Sequence, residues 1–147
     1  CFADWLGDEV DAVRLLGREL TITVDTTKLP ENLAVDVDRK AMPYALRNLL
    51  RNAFKYASKQ IIVSAERQQG NVFVHVDDDG IGIPPEQRES VFSAFTRLDR
   101  SRDRATGGYG LGLAITRRVL ELHGGTATAD AAPLGGARFT LAWPLAQ

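Results

Sequence analysis

The chain has 147 residues, 44% of them hydrophobic and 25% charged, and its formal net charge at pH 7 is -1. This length and apolar content predict one domain with a hydrophobic core, and the near-zero charge argues against a nucleic-acid-binding surface. Cys1 is the only cysteine, which excludes an internal disulfide, and no apolar run reaches the roughly 18 residues that a membrane span needs.

Hydrophobic periodicity divides the chain into helices and strands. Helical spacing predicts helices over Phe2–Gly17, Leu46–Ala57, Glu86–Phe95 and Leu111–His123. Alternation predicts strands over Leu20–Val24, Leu33–Val37, Gln60–Glu66, Asn71–Val76, Thr126–Ala129 and Ala137–Trp143. Asp38 is a suitable N-cap for the second helix. Because hairpins dominate over strand–helix alternation, we predict an α+β fold, a two-layer α/β sandwich whose mixed, largely antiparallel sheet carries helices on one face.

The predicted helix Leu46–Ala57 has two different faces. One is an apolar stripe, and the other gathers the polar residues Asn48, Asn52, Lys55 and Tyr56. Asn is a mediocre helix former, so two of them one turn apart need a reason. A helix that lines a polar pocket supplies one, and a core helix with a solvated outer face is the alternative.

A first glycine-rich segment, Asp78–Gly82, follows a predicted strand. A carboxylate there can accept a hydrogen bond from an exocyclic amine, and glycine backbone can approach a flat ring. The alternative is an acidic surface turn.

A second glycine-rich segment, Gly108–Leu113, opens a predicted helix, whose N–H groups can surround an anion. The intervening Arg97–Tyr109 is rich in arginine, which suits phosphate oxygens, and its position favours a lid. The alternative to the anion-binding segment is a flexible loop followed by a helix, and the alternative to the lid is a solvated charge run. His75 is expected to be a structural strand histidine.

Four segments together resemble the sequence boxes of a known family. They are Asn48–Tyr56 (N box), Asp78–Pro84 (first glycine box), Phe92–Arg97 (F box) and Gly108–Ala114 (second glycine box). With these four boxes in this order, the chain resembles the catalytic ATP-binding domain of a bacterial two-component sensor histidine kinase, in the GHKL (Bergerat) ATPase superfamily. The resemblance runs from about Thr21 to Leu145, and Arg97–Arg104 resembles the corresponding segment of RstB-type sensor kinases.

The resemblance implies a site for ATP and Mg²⁺. The residues implied in phosphoryl transfer are Asn48, Lys55, Arg97 and Arg102. Those implied in nucleotide binding are Asn52, Tyr56, Asp78, Gly80, Gly82, Ile83, Phe95, Gly108, Gly110, Leu111, Gly112 and Leu113. Among these, Asn52 would be the Mg²⁺ ligand and Asp78 would accept the adenine amine, and one amide oxygen plus phosphates and water suits Mg²⁺.

The implied reaction is transfer to another acceptor, with only weak ATP hydrolysis. Hydrolytic members of the superfamily carry a Glu at the position of Asn48, and an amide cannot act as that base. The implied acceptor is a histidine on a separate dimerisation domain of the same kinase. From this histidine the phosphoryl group would pass to a response regulator receiver domain. Neither His75 nor His123 resembles that acceptor.

Residues 1–19 are expected to be an N-terminal helix or linker from a missing dimerisation domain, and residues 20–147 the catalytic domain. We expect this cytoplasmic fragment to be monomeric, and its parent to be a homodimeric kinase anchored in the bacterial inner membrane. Two alternatives stay open. One is an anti-sigma-factor serine kinase of the same fold, and the other is a non-catalytic module that binds nucleotide or protein.

Overall fold

The structure is a computed structural model that describes residues 1–14, 20–30, 33–93 and 112–145. The elements in chain order are α1 (Phe2–Arg14), β1 (Thr21–Lys28), α2 (Ala41–Tyr56), β2 (Gln60–Gln68), β3 (Asn71–Asp78), α3 (Gly112–Leu122), β4 (Thr126–Ala131) and β5 (Ala137–Pro144). Short 3-10 turns occupy Pro85–Gln87 and Ser90–Phe92.

The strands in the described residues form one sheet with the order β1-β2-β3-β5-β4. β1 pairs with β2 in parallel, and the other neighbouring pairs are antiparallel. Val63, Val76 and Phe139 stand side by side across the three central strands. The predicted mixed, largely antiparallel sheet and the α+β class are therefore confirmed.

One face of this sheet forms the core with the helices. Alternate residues of β2, β3 and β5 are buried, as expected for a sheet covered on one side. On the helical side, Leu46, Leu49 and Leu120 are at most 1% exposed. No helix within the described ranges is both long enough and apolar enough to cross a membrane.

Helix α1 packs into this same core. Leu6 and Val10 are fully buried, and the Phe2 ring meets the Trp143 ring edge-on at 5.8 Å between centroids. The Arg47 guanidinium of α2 also binds the buried Glu9 carboxylate, with 2.6 Å between Nε and Oε1. The predicted boundary at residue 19 falls in 15–19, outside the described residues, and stays a prediction.

The predicted strand Leu33–Val37 is wrong. The described segment 33–38 has no ladder partner, although the Phe2 N–H donates to the Leu33 carbonyl. Leu33, Val35 and Val37 alternate because one side of this segment packs, half-buried, against the core. Alternation therefore reports one-sided burial here and not strand pairing.

The predicted helix Glu86–Phe95 is also wrong over its described part. Residues 85–92 form 3-10 turns closed by bonds such as Gln87 N–H to the Pro84 carbonyl and Phe92 N–H to the Glu89 carbonyl. Val91 and Phe92 are the core residues of this stretch. A buried patch this short gives little reason for a full α-helix.

Helix α2 starts earlier than predicted, at Ala41. The Asp38 carboxylate accepts hydrogen bonds from the N–H groups of Lys40 and Ala41, both at 2.8 Å. These bonds lower the pKa of Asp38. Asp38 thus satisfies donors at the start of the helix, although the N-cap position of α2 is occupied by Lys40 and not by Asp38 as predicted.

Candidate functional site

The candidate site begins on the polar side of α2. Asn52 is a buried polar residue on this helix, 9% exposed, while Leu49 and Ala53 beside it are fully buried in the core. An amide at this depth needs partners for its donors and acceptors. On the predicted polar side of α2, Asn48, Lys55 and Tyr56 are half-buried and Asn52 is buried.

Asn48 lies one turn before Asn52 and contacts the next helix. Its Nδ2 donates to the carbonyl of Gly112, the first residue of α3, at 3.2 Å. Further along the same pair of helices, the buried Thr116 hydroxyl donates to the Ala45 carbonyl at 3.1 Å. The start of α3 is thereby held against the middle of α2.

His123 forms a third link between these helices. Its Nδ1 lies 2.8 Å from the Val119 carbonyl, and its Nε2 accepts the backbone N–H of Asp38 at 2.9 Å. A carbonyl requires a donor and an N–H requires an acceptor, so this geometry specifies the tautomer with the proton on Nδ1. His123 therefore has a structural role, joining the end of α3 to the start of α2.

Asp78 ends β3 as a buried carboxylate, 2% exposed. Its Oδ1 accepts the backbone N–H of Gly80 at 2.9 Å and that of Ala137 at 3.2 Å. Burial raises the pKa of Asp78, and the two backbone hydrogen bonds oppose this effect. A buried carboxylate oriented in this way can accept a hydrogen bond from an amine.

Glycines let the backbone close around Asp78. A Cβ on Gly80 would lie 2.1 Å from the Tyr56 carbonyl oxygen, and a Cβ on Gly136 would lie 2.3 Å from Asp78 Oδ1. Both positions therefore require glycine. The first brings the loop after β3 onto the end of α2, and the second brings the β4–β5 turn under the carboxylate.

The structure also describes the predicted residues Gly82, Ile83, Leu113 and Lys55. Gly82 has a φ of 74° and packs near the carbonyl of Gly136. Ile83 and Leu113 have buried side chains. Lys55 places its Nζ 5.6 Å from the centroid of the Tyr56 ring.

Part of the predicted site lies outside the described residues, in 94–111. The residues concerned are Phe95, Arg97, Arg102, Gly108, Gly110 and Leu111. Their roles stay predictions. The described residues that flank this segment are linked, because the Arg117 guanidinium of α3 lies 4.5 Å from the Phe92 ring centroid and 2.5 Å from the Glu89 carboxylate.

Two carboxylates beside Asp78 have separate tasks that the sequence did not reveal. Asp77 binds Arg138 through two hydrogen bonds, Nε to Oδ1 at 2.7 Å and Nη2 to Oδ2 at 2.9 Å. Asp79 turns toward the segment that joins α2 to β2. The register of β3 and β5, which places Asp77 opposite Arg138, is the signal that would have identified the first pair.

His75 lies half-buried on β3, as predicted for a structural histidine. Its Nδ1 is 2.8 Å from the Thr140 hydroxyl and its Nε2 is 3.3 Å from the Glu66 carboxylate. Among the described residues, no group of three or more His, Cys, Asp or Glu side chains is suited to hold a metal ion. The Asn52 amide oxygen can serve as one ligand of a hard cation, because such ions prefer oxygen donors.

Comparison with known proteins shows the family of the chain. Residues 37–147 match the family model of the histidine kinase-, DNA gyrase B-, and HSP90-like ATPases. The sensor protein RstB of Escherichia coli (strain K12) is 40% identical over 141 residues, which are 96% of this chain and 32% of RstB. The chain thus spans about a third of the length of this curated relative.

Solved structures show the same fold. The ATP-binding domain of PrrB from Mycobacterium tuberculosis has a TM-score of 0.78 and 26% identity, covering 99% of this chain and 95% of that one. Full-length ShkA in complex with AMPPNP has a TM-score of 0.73 and 26% identity, covering 99% of this chain and 28% of ShkA. The chain therefore belongs to the histidine kinase-, DNA gyrase B-, and HSP90-like ATPase family, as an ATP-binding domain of the sensor histidine kinase type.

Proposed function

We propose that this domain binds Mg-ATP and transfers its terminal phosphoryl group to a histidine on the dimerisation domain of the same kinase. The observation that carries the proposal is the buried Asp78 carboxylate, which accepts the N–H groups of Gly80 and Ala137. The Gly80 backbone packs against Tyr56, the last residue of the helix that bears Asn52. ShkA, which has this fold, was solved with AMPPNP, an ATP analogue.

Asp78 would bind the adenine end of the nucleotide. Its second oxygen, Oδ2, would accept the exocyclic amine, while Oδ1 keeps the backbone hydrogen bonds that orient the carboxylate. The backbone at Gly80 and Gly82 would approach the ring, and Tyr56, at the end of α2, would pack beside it. A site built to accept an amine hydrogen bond rejects a base that lacks this donor.

Asn52 would hold the phosphate end. Its amide oxygen would coordinate Mg²⁺, which when bound neutralises charge on the phosphates. Lys55, three residues further along α2, would approach a phosphate as a point charge. Gly112 and Leu113 would border the phosphates at the start of α3, where N–H groups favour an anion.

The geometry of Asn48 supports transfer over hydrolysis. Its amide already donates to the Gly112 carbonyl, and a carboxamide cannot remove a proton from water. Phosphoryl transfer depends on positioning and charge neutralisation more than on a protein base. Within the proposal, Phe95, Gly108, Gly110 and Leu111 complete the nucleotide site, and Arg97 and Arg102 approach the terminal phosphate.

The proposal extends to the parent protein. Its partners would be the dimerisation domain and a response regulator receiver domain. The parent would be a homodimer anchored in the bacterial inner membrane, with this domain on the cytoplasmic side, monomeric when isolated.

Calorimetry with AMPPNP, with and without Mg²⁺, tests nucleotide binding. We expect binding that strengthens with Mg²⁺ and is lost in Asn52→Ala. Asn71→Ala, on the β2–β3 hairpin, is the matched control. Absence of binding by the unaltered chain would contradict the proposal and favour a non-catalytic module.

Transfer is tested with radiolabelled ATP and the dimerisation domain supplied separately. The expected product is acid-labile phosphate on that domain, as for phosphohistidine. Acid-stable phosphate on a protein partner would instead identify a serine kinase of the same fold.

A further inference from the structure

Asp79 connects the loop after β3, which follows Asp78, to the segment that follows α2. Its Oδ1 accepts the backbone N–H groups of Ser58 at 2.8 Å, Lys59 at 3.0 Å and Gln60 at 3.2 Å, and its Oδ2 lies 3.1 Å from the Lys59 nitrogen. These N–H groups belong to the segment that leaves α2 and enters β2. The Asp79 side chain thus binds the segment immediately after the helix that carries Asn52.

The segment 58–60 needs such an acceptor. Helix α2 ends at Tyr56, and the Ala57 N–H makes the last helical bond, to the Ala53 carbonyl. The next N–H groups point beyond the helix and require partners from elsewhere in the fold. Burial of Asp79 acts to raise its pKa, but its backbone hydrogen bonds outweigh this effect and lower it, so the carboxylate is ionised at neutral pH.

Gly80 strengthens the same junction. Its Cα packs so closely on the Tyr56 carbonyl that a Cβ would lie 2.1 Å from the oxygen. Asp78, immediately before Asp79, also binds the Gly80 N–H. The position of the Asp78 carboxylate relative to α2 is therefore set where Asp79 and Gly80 meet the end of the helix.

We propose that Asp79 is a positioning residue for nucleotide binding, which fixes the loop bearing Asp78 at the end of the helix bearing Asn52. The inference rests on the proposed function, in which Asp78 meets the adenine and Asn52 meets the phosphate end through Mg²⁺. A single nucleotide that contacts both residues at once binds best when the distance between them is fixed. In enzymes, misplacement of reacting groups by about 1 Å can lower the rate roughly 100-fold, and contacts with a bound nucleotide depend on position for the same reason.

Three substitutions separate position from charge. Asp79→Asn keeps an acceptor oxygen in place and removes the charge. Asp79→Glu keeps the charge and moves it outward by one methylene group. Asp79→Ala removes both.

The measurement is the Kd of each variant for Mg-AMPPNP by calorimetry, well below the melting temperature of the unliganded protein. We expect Asp79→Ala and Asp79→Glu to bind about tenfold more weakly, and Asp79→Asn to stay within about threefold of the unaltered chain. Asp25→Ala is the matched control, because Asp25 also accepts a backbone N–H, from Thr27, but on the edge strand β1. It should bind normally.

Circular dichroism and melting curves establish which variants fold. If Asp79→Ala does not fold, the Kd values of Asp79→Glu and Asp79→Asn are compared to test the positioning role. Equal binding by these two variants would overturn the positioning role. Unchanged binding by a folded Asp79→Ala would also overturn it while leaving the proposed function intact. Absence of binding by the unaltered chain would overturn both.

Discussion

Asn48 donates its side-chain Nδ2 to the carbonyl oxygen of Gly112 across 3.2 Å. This bond joins the middle of α2 to the first residue of α3. It requires a donor, which a carboxamide has and a carboxylate of the same shape lacks. The nearby bond from Thr116 to the Ala45 carbonyl runs between the same helices, so Asn48 belongs to a row of links along this interface.

The isosteric Asn48→Asp substitution should destabilise the fold. A carboxylate would face the Gly112 carbonyl without a donor between them, so we expect a loss of about 1–3 kcal/mol in the free energy of unfolding. Urea unfolding at neutral pH measures it, with Asn71→Asp on the β2–β3 hairpin as the control. The loss should shrink in acid, where the protonated carboxyl regains a donor. Equal stability of the two variants at neutral pH would contradict this reading of the contact.

Gly136→Ala should displace the carboxylate of Asp78. The added Cβ would lie 2.3 Å from Asp78 Oδ1 and 2.4 Å from its carbonyl oxygen. Overpacking of this kind costs about 1–3 kcal/mol, and binding of Mg-AMPPNP should weaken in parallel.

Gly7→Ala is the control for Gly136→Ala. Gly7 lies inside α1 with nothing within 4 Å of an added Cβ, so alanine should stabilise the fold by about 0.5–1 kcal/mol. Urea unfolding of both variants gives the comparison. A Gly136→Ala protein as stable as the unaltered chain would show that the turn can move away from Asp78.

Local pattern predicted the elements that bury one face against the core. The two sides of α2 and both hairpins follow from spacing alone, because each reflects how a single segment meets the core. The same signal misled at Leu33–Val37, where alternation comes from one-sided packing, and at Glu86–Phe95, where the apolar patch was too short for a helix. Periodicity reports burial, and it reports pairing only indirectly.

The contacts that shape the candidate site were less predictable. Asp79 binds backbone about 20 residues away, and Asp78 binds Ala137, 59 residues away. No local pattern contains such pairs. The motif resemblance predicted site roles for Asn52 and Asp78. It did not show that Asp77, Asp78 and Asp79 have different partners, since that depends on how β3, β5 and the end of α2 meet.

Asp78 should impose a pH-dependent cost on stability. Burial raises its pKa in the folded state, so the folded protein holds this proton more tightly than the unfolded chain. The cost is absent below the unfolded-state pKa of about 3.9, grows as the pH rises through the window between that value and the raised one, and is complete above it.

Asp78→Asn tests this linkage. The amide oxygen can still accept from Gly80 and Ala137, but the buried charge is gone. The variant should therefore exceed the unaltered chain in free energy of unfolding at neutral pH, and urea unfolding as a function of pH should show the difference vanishing in acid. Mg-AMPPNP binding should nevertheless weaken by about 10–100-fold, because a hydrogen bond to a charged acceptor contributes about 1.5–3 kcal/mol. A difference in stability that grew in acid would contradict the raised pKa.

Arg117 makes contacts of unequal energetic weight. Its Nη1 lies 2.5 Å from Glu89 Oε1, but the Glu89 side chain is 81% exposed, and exposed ion pairs contribute little. Its guanidinium also lies 4.5 Å from the centroid of the buried Phe92 ring, and Nη2 donates to the Ala127 carbonyl at 3.4 Å. The last two contacts should dominate.

Glu89→Gln and Arg117→Met separate these contributions. Glu89→Gln removes only the charge of the exposed partner, so it should lower the free energy of unfolding by less than about 0.5 kcal/mol. Arg117→Met keeps the aliphatic stem but loses the cation–π contact and the hydrogen bond to Ala127, and should cost about 1–2 kcal/mol. Urea unfolding at low and high salt measures both. Equal losses that disappear at high salt would show that the ion pair, and not the packing on Phe92, attaches α3 to the turn at Ser90–Phe92.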